Sequence, residues 1–140
     1  MADVPDSGKQ GFPVTRPTPT GKERRGLLPF VDAYIQATNL GDLDALLETF
    51  VDDALVNDQF VDYWGKDAIA NWAARDIIGE RLTLEVVKVV EHYGHSILTA
   101  HIDGIFDKRG LPNPLVLTFY FSFCGNKIVQ LIILRNQSGI

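Results

Sequence analysis

Apolar residues recur along this chain first at helical and then at strand spacing. Leu27, Phe30, Tyr34 and Ala37 fall three or four positions apart and so share one stripe. Pro29 is tolerable only near the first turn of the helix they imply. That helix is expected to stop between Asn39 and Gly41. Asp42 is placed to N-cap a second helix, with Asp44 at its positive end and Leu43, Leu46, Leu47 and Phe50 on its apolar face. The stretch 54–60 alternates weakly as a short strand, and 66–78 returns to helical spacing through Ile69, Trp72, Ala73 and Asp76 or Ile77.

From Leu82 onward the pattern is strand-like. Stretches 82–92, 96–106, 115–124 and 127–135 read as strands, with Gly94 at the first turn and Gly110, Pro112 and Pro114 in a longer loop. Gly125 and Asn126 supply the two-residue connection that primed hairpin turns favour. Helices first and strands afterwards predict an α+β domain, its last four strands an antiparallel meander with helices over one face. In the strand from Ser96, Leu98, Ala100, Ile102 and Gly104 suit the covered face. Ile97, Thr99, His101, Asp103 and Ile105 make the other face a mixed surface of the kind found at interfaces.

Composition narrows the range of functions. A chain of 140 residues, 46% hydrophobic and 22% charged, is of ordinary globular make-up and long enough to bury a core without a disulfide or metal staple. Residues 1–22 depart from it: with Pro5, Pro13, Pro17 and Pro19 and few apolar side chains, they are expected to form a disordered tail before a domain over 23–140. The net charge of -5 and scattered Lys and Arg argue against a nucleic-acid partner. No apolar run is long enough for a secretory signal or a membrane helix, so no membrane partner and a cytoplasmic location are expected. The single Cys124, which has no intrachain partner, agrees with a reducing compartment.

Four stretches carry a family resemblance: Tyr34-Ile-Gln-Ala-Thr-Asn-Leu-Gly41-Asp-Leu-Asp44, Phe50-Val-Asp-Asp-Ala54, Val56-Asn-Asp58 and Gly65-Lys-Asp-Ala-Ile69. Over residues 23–136 the chain resembles ketosteroid isomerase and its SnoaL-like relatives in the nuclear transport factor 2-like superfamily. The resemblance implies a cone-shaped, cystatin-like roll, with a curved and mainly antiparallel sheet and helices on its concave face. It also implies a homodimer packed sheet to sheet. Ketosteroid isomerase uses a tyrosine on its first helix to polarise a carbonyl and an aspartate on its first strand to shuttle a proton. Tyr34 and Asp58 match those positions, and Phe119 falls where that enzyme has a second acidic donor.

Those residue types suit the chemistry. Removing a proton beside a carbonyl builds charge on the oxygen, which a buried hydroxyl stabilises most in the transition state. An apolar surrounding raises an aspartate's pKa and so fits it to return the proton. With Trp72, Phe119 and Trp64 as ligand-binding residues, the implied occupant is a small apolar molecule with one polar group, handled without a cofactor. Two functions fit: an isomerase, cyclase or dehydratase using Asp58 and Tyr34, and a non-catalytic ligand-binding or protein-interaction module. Each residue also has a purely structural reading, Tyr34 and Trp72 as core and Asp58 as a turn residue. No metal site is expected, because His92 and His95 flank a turn and His101 and Asp103 share a strand face.

Overall fold

The computed structural model describes residues 27–135, so the expected tail lies outside the described residues. Helix α1 spans Pro29–Leu40 and α2 spans Leu43–Glu48. Pro29 occupies the first turn of α1, and Gly41 ends it in the left-handed conformation at φ 69°. Two backbone bonds close that end, Gly41 N–H to Thr38 O at 3.1 Å and Asp42 N–H to Ala37 O at 2.9 Å. Asp42 caps α2 as expected, its Oδ1 accepting from Ala45 N–H at 3.1 Å.

Strand β1 runs over Phe50–Asp58 and β2 over Val61–Trp64. Helix α3, Gly65–Trp72, continues into a π-helical turn over Ala73–Ile78. Strands β3 (Thr83–His92), β4 (His95–Asp103), β5 (Leu115–Cys124) and β6 (Lys127–Arg135) complete a six-stranded sheet in the order β2-β1-β6-β5-β4-β3. The four later strands form the expected antiparallel meander, while β1 pairs in parallel with β6. The architecture is α+β, with a mixed, mostly antiparallel open sheet.

Three local expectations change. Phe50 does not extend the apolar face of α2 but opens β1, where it is fully buried. Stretch 54–60 is the end of a longer strand that turns through Gln59 and Phe60 into β2. Both turn residues take positive φ, 51° and 73°, although neither is a type that favours it. The third change is the wide turn after Trp72: Gly79 N–H donates to Ala74 O, five residues back, at 2.9 Å. A Cβ on Gly79 would meet Arg75 O at 2.7 Å, so only glycine closes it.

Alternation places the core on one sheet face. Ser96, Leu98 and Ala100 of β4 are fully buried, and Phe119 and Phe121 of β5 and Leu131 and Ile133 of β6 at most 2% exposed. Helix α1 lies across them: the Tyr34 ring packs on Phe121, Phe50 and Phe119 with centroids 5.3, 6.2 and 6.4 Å away. At its far end Asn39 clasps the Leu84 backbone of β3, accepting from the Leu84 amide at 2.7 Å and donating to its carbonyl at 3.1 Å.

Candidate functional site

Sheet register decides which side Asp58 faces. Asp58 of β1 pairs with Ile133, Ile133 with Phe119, and Phe119 with Leu98, so the four side chains form one row across four strands. Leu98, Phe119 and Ile133 are core residues, and the carboxyl therefore points to the helix-covered face. Two strand spacings, about 10 Å, separate Asp58 from Phe119. Tyr34 stands over Phe119 from α1. The space between is a cavity of about 280 Å³, lined by Tyr34, Asp58 and Phe119 among mostly aliphatic side chains such as Leu117 and Ile133.

Trp72 does not line this cavity but backs it. It is fully buried, and its indole N–H donates to Asp58 Oδ2 at 3.0 Å. The other carboxyl oxygen has a longer contact with Gln59 Nε2, at 3.4 Å. Gln59 in turn clamps the end of β1 to β6: its backbone N–H and Nε2 both donate to Ile133 O, at 3.0 and 3.1 Å. It also accepts from Arg135 N–H at 3.2 Å. This clamp holds the positive-φ turn beside Asp58 in a conformation the residue types disfavour.

Burial pushes the Asp58 carboxyl up from its ordinary value, against the lowering effect of the Trp72 and Gln59 hydrogen bonds. Nearby Asp76 raises it further, and Arg75 lowers it. Burial, and then the charge of Asp58, push the Tyr34 hydroxyl well above the usual phenol range, so Tyr34 stays a donor. Among the described residues no protein group hydrogen-bonds that hydroxyl, although Tyr34 is 1% exposed. Thr38, one helical turn further along α1, also lines the cavity, and its Oγ1 is buried with no hydrogen-bond partner.

Trp64 lies elsewhere. It is 66% exposed at the end of the edge strand β2 and has no part in the cavity lining. Sequence reasoning missed Thr38, Asp76, Glu80 and Phe106, which all line the space. Thr38 carried a signal, since a residue four positions after Tyr34 shares its helix face. Asp76 lies in the π-helical turn, within the stretch read as helical but given no site role, whereas Glu80 and Phe106 come from loops beyond it, where no periodicity applies. Among the described residues no group of three or more His, Cys, Asp or Glu side chains is arranged to hold a metal ion.

No family profile matches the chain, and neither does any curated protein. Solved structures do match. A putative polyketide cyclase from Sinorhizobium meliloti is 29% identical, with 77% of this chain and 95% of that one covered at a TM-score of 0.70. A ketosteroid isomerase-like-fold protein from Catenulispora acidiphila is 21% identical, with coverage of 81% and 91% and a TM-score of 0.65. A SnoaL-like protein of unknown function from Burkholderia thailandensis is 15% identical, with coverage of 76% and 92% and a TM-score of 0.62. An α+β fold is what these structures share with the chain. The chain has the nuclear transport factor 2-like fold.

Proposed function

We propose that the cavity binds a small, largely apolar carbonyl compound and that Asp58 and Tyr34 act on it as general base and carbonyl donor, in an isomerase, cyclase or dehydratase type of reaction without a cofactor. The observation that carries this reading is the pairing of two polar groups in one apolar cavity: a tyrosine hydroxyl with no protein partner among the described residues and a carboxyl raised by burial. The proton on the carbon beside the carbonyl passes to Asp58. The electron pair of that C–H bond moves into an enolate whose oxygen accepts from Tyr34. Asp58 then returns the proton to the same or another carbon. Trp72 fixes one carboxyl oxygen throughout and limits how far the other can swing.

Exchange of acidic protons for deuterium on cyclic enones and polyketide-like ketones, followed by NMR, tests this directly. Asp58→Asn is expected to abolish exchange, and Tyr34→Phe to slow it by roughly 100-fold or more. The rate should rise with pH through the elevated Asp58 pKa, because only the carboxylate accepts a proton. A non-catalytic binding module is the second reading, favoured by Phe119 at the position of the second acidic donor, which leaves Tyr34 with no neighbouring acid on β5. A ligand that binds wild-type protein and undergoes neither exchange nor isomerisation would decide for that module.

A sheet-to-sheet homodimer is part of the same proposal. On the outer face Val90, Ile97, Tyr120 and Ile132 pair side by side across β3 to β6 and form an apolar row. Val90 and Tyr120 are 44% and 39% exposed. His101, paired with Glu85 at 3.4 Å, and Asp103 lie on that face and are expected to be covered. Light scattering at micromolar concentration should report a dimer, and Tyr120→Arg should split it; a wild-type monomer would overturn the assignment. No helix among the described residues is long and apolar enough to cross a membrane. The free, exposed Cys124 supports a cytoplasmic location.

A further inference from the structure

The ionisable lining of the cavity is of one sign. Asp58, Asp76 and Glu80 contribute to it, and no lysine, arginine or histidine does. Asp76 is already neutralised, because Arg75 Nε and Nη2 reach its two oxygens at 2.9 and 2.8 Å. Lys108, 5.3 Å from the centre of the Phe106 ring, is held by Asp103 at 3.0 Å and by the Gly104 carbonyl at 2.6 Å. Arg81, next to Glu80 in the chain, is exposed and outside the lining. Glu80 itself has no ion pair among the described residues.

The backbone holds Glu80 in place at this wall. Its carbonyl accepts from Ile105 N–H at 2.8 Å, and a Cβ on Gly104 would come within 2.6 Å of the same oxygen. That close approach brings the loop after β4, with Phe106, against the end of the π-helical turn, and both Glu80 and Phe106 border the cavity. Inside, the hydroxyls of Tyr34 and Thr38 are unpartnered and buried, which independently marks the space as made for a polar-bearing ligand.

We infer that the ligand carries a cationic nitrogen, a protonated amine or a quaternary ammonium, which sits against Glu80 and the Phe106 ring while its carbonyl meets Tyr34. The inference rests on the carbonyl reading above and adds a charge to the substrate class. A carboxylate and a ring face both favour a cation over an isosteric neutral group, and the partly desolvated setting strengthens that preference.

Two probes of matched shape test it: (4-oxopentyl)trimethylammonium and its carbon isostere 6,6-dimethylheptan-2-one, titrated calorimetrically against the full chain. The cation is expected to bind roughly tenfold more tightly, with the preference shrinking as salt is raised. Glu80→Gln should bring the two affinities within about twofold while leaving that of the isostere unchanged, and circular dichroism checks that the variant folds. Equal or tighter binding of the isostere, or a cation preference that survives Glu80→Gln, overturns the inference. If the isostere also exchanges its acidic protons, the carbonyl reading stands without the charge. Failure of both probes to bind overturns the two readings together.

Discussion

Replacing Trp72 by Phe removes one hydrogen bond and part of one buried ring, and the two losses depend differently on pH. Trp72 is fully buried, and its N–H to Asp58 Oδ2 contact of 3.0 Å is the shorter of the two side-chain bonds that this carboxyl accepts. Full Trp→Ala truncation in a core costs about 3–5 kcal/mol, so the smaller Trp→Phe change should cost about 1.5 kcal/mol in packing. A hydrogen bond to a charged acceptor contributes about 1.5–3 kcal/mol, against about 1 for a neutral one. The variant should therefore lose about 3.5 kcal/mol when Asp58 is ionised and about 2.5 kcal/mol when it is protonated.

The sign follows from linkage. Burial raises the folded pKa of Asp58, so this group costs stability as pH rises above its unfolded value, and the Trp72 bond reduces that cost. Without the bond the folded pKa rises further, so ionising Asp58 costs the variant more than it costs wild type, and below both pKa values only the pH-independent loss of about 2.5 kcal/mol remains. Urea unfolding at several pH values between about 4 and 8 reads the difference. A Trp72→Phe penalty that is the same at every pH would refute the reasoning, because it would mean that the bond contributes only packing.

Tyr34→Phe should leave the fold as stable or raise it by about 1 kcal/mol, because it removes a buried hydroxyl with no protein partner; a loss above that, seen by thermal melting, would reveal a bond this hydroxyl makes. Gly104→Ala should cost about 2 kcal/mol, since the Cβ would sit 2.6 Å from the Glu80 backbone oxygen, which no side-chain rotation relieves. Chemical denaturation measures that cost, and an unchanged midpoint would show that the loop after β4 gives way freely.

Most elements were legible because their periodicities are undisturbed. Phe30, Tyr34 and Ala37 mark α1, although Leu27 of the same stripe precedes the helix, and the alternation around Leu98 and Phe119 marks β4 and β5. What escaped was conformational detail that residue type does not encode. Gln59 and Phe60 carry no turn signature, so the β1–β2 hairpin was invisible; in the structure Gln59 ties its turn to Ile133. Leu43, Leu46, Leu47 and Phe50 keep helical spacing across a boundary where the chain becomes a strand. At the site, Tyr34, Asp58 and Phe119 could be named from the sequence, and they line one cavity. Their meeting requires the parallel pairing of β1 with β6, which no local pattern announces. Trp64 was misplaced for the same reason: without β2, nothing marked it as an edge residue.

That parallel pairing also orders events in time. Asp58 finds its partner Ile133 some 75 positions further along the chain, and β1 has no other inner neighbour. Contacts of such long range close late, because the loop entropy between them must be overcome before they contribute. During synthesis, the first helices and the β1–β2 hairpin emerge with one sheet edge unpaired and their apolar residues uncovered until β6 arrives. The wall that orients the carboxyl of Asp58 is thus among the last parts to be completed, and a nascent chain halted before β6 would hold Tyr34 and Asp58 with no cavity between them.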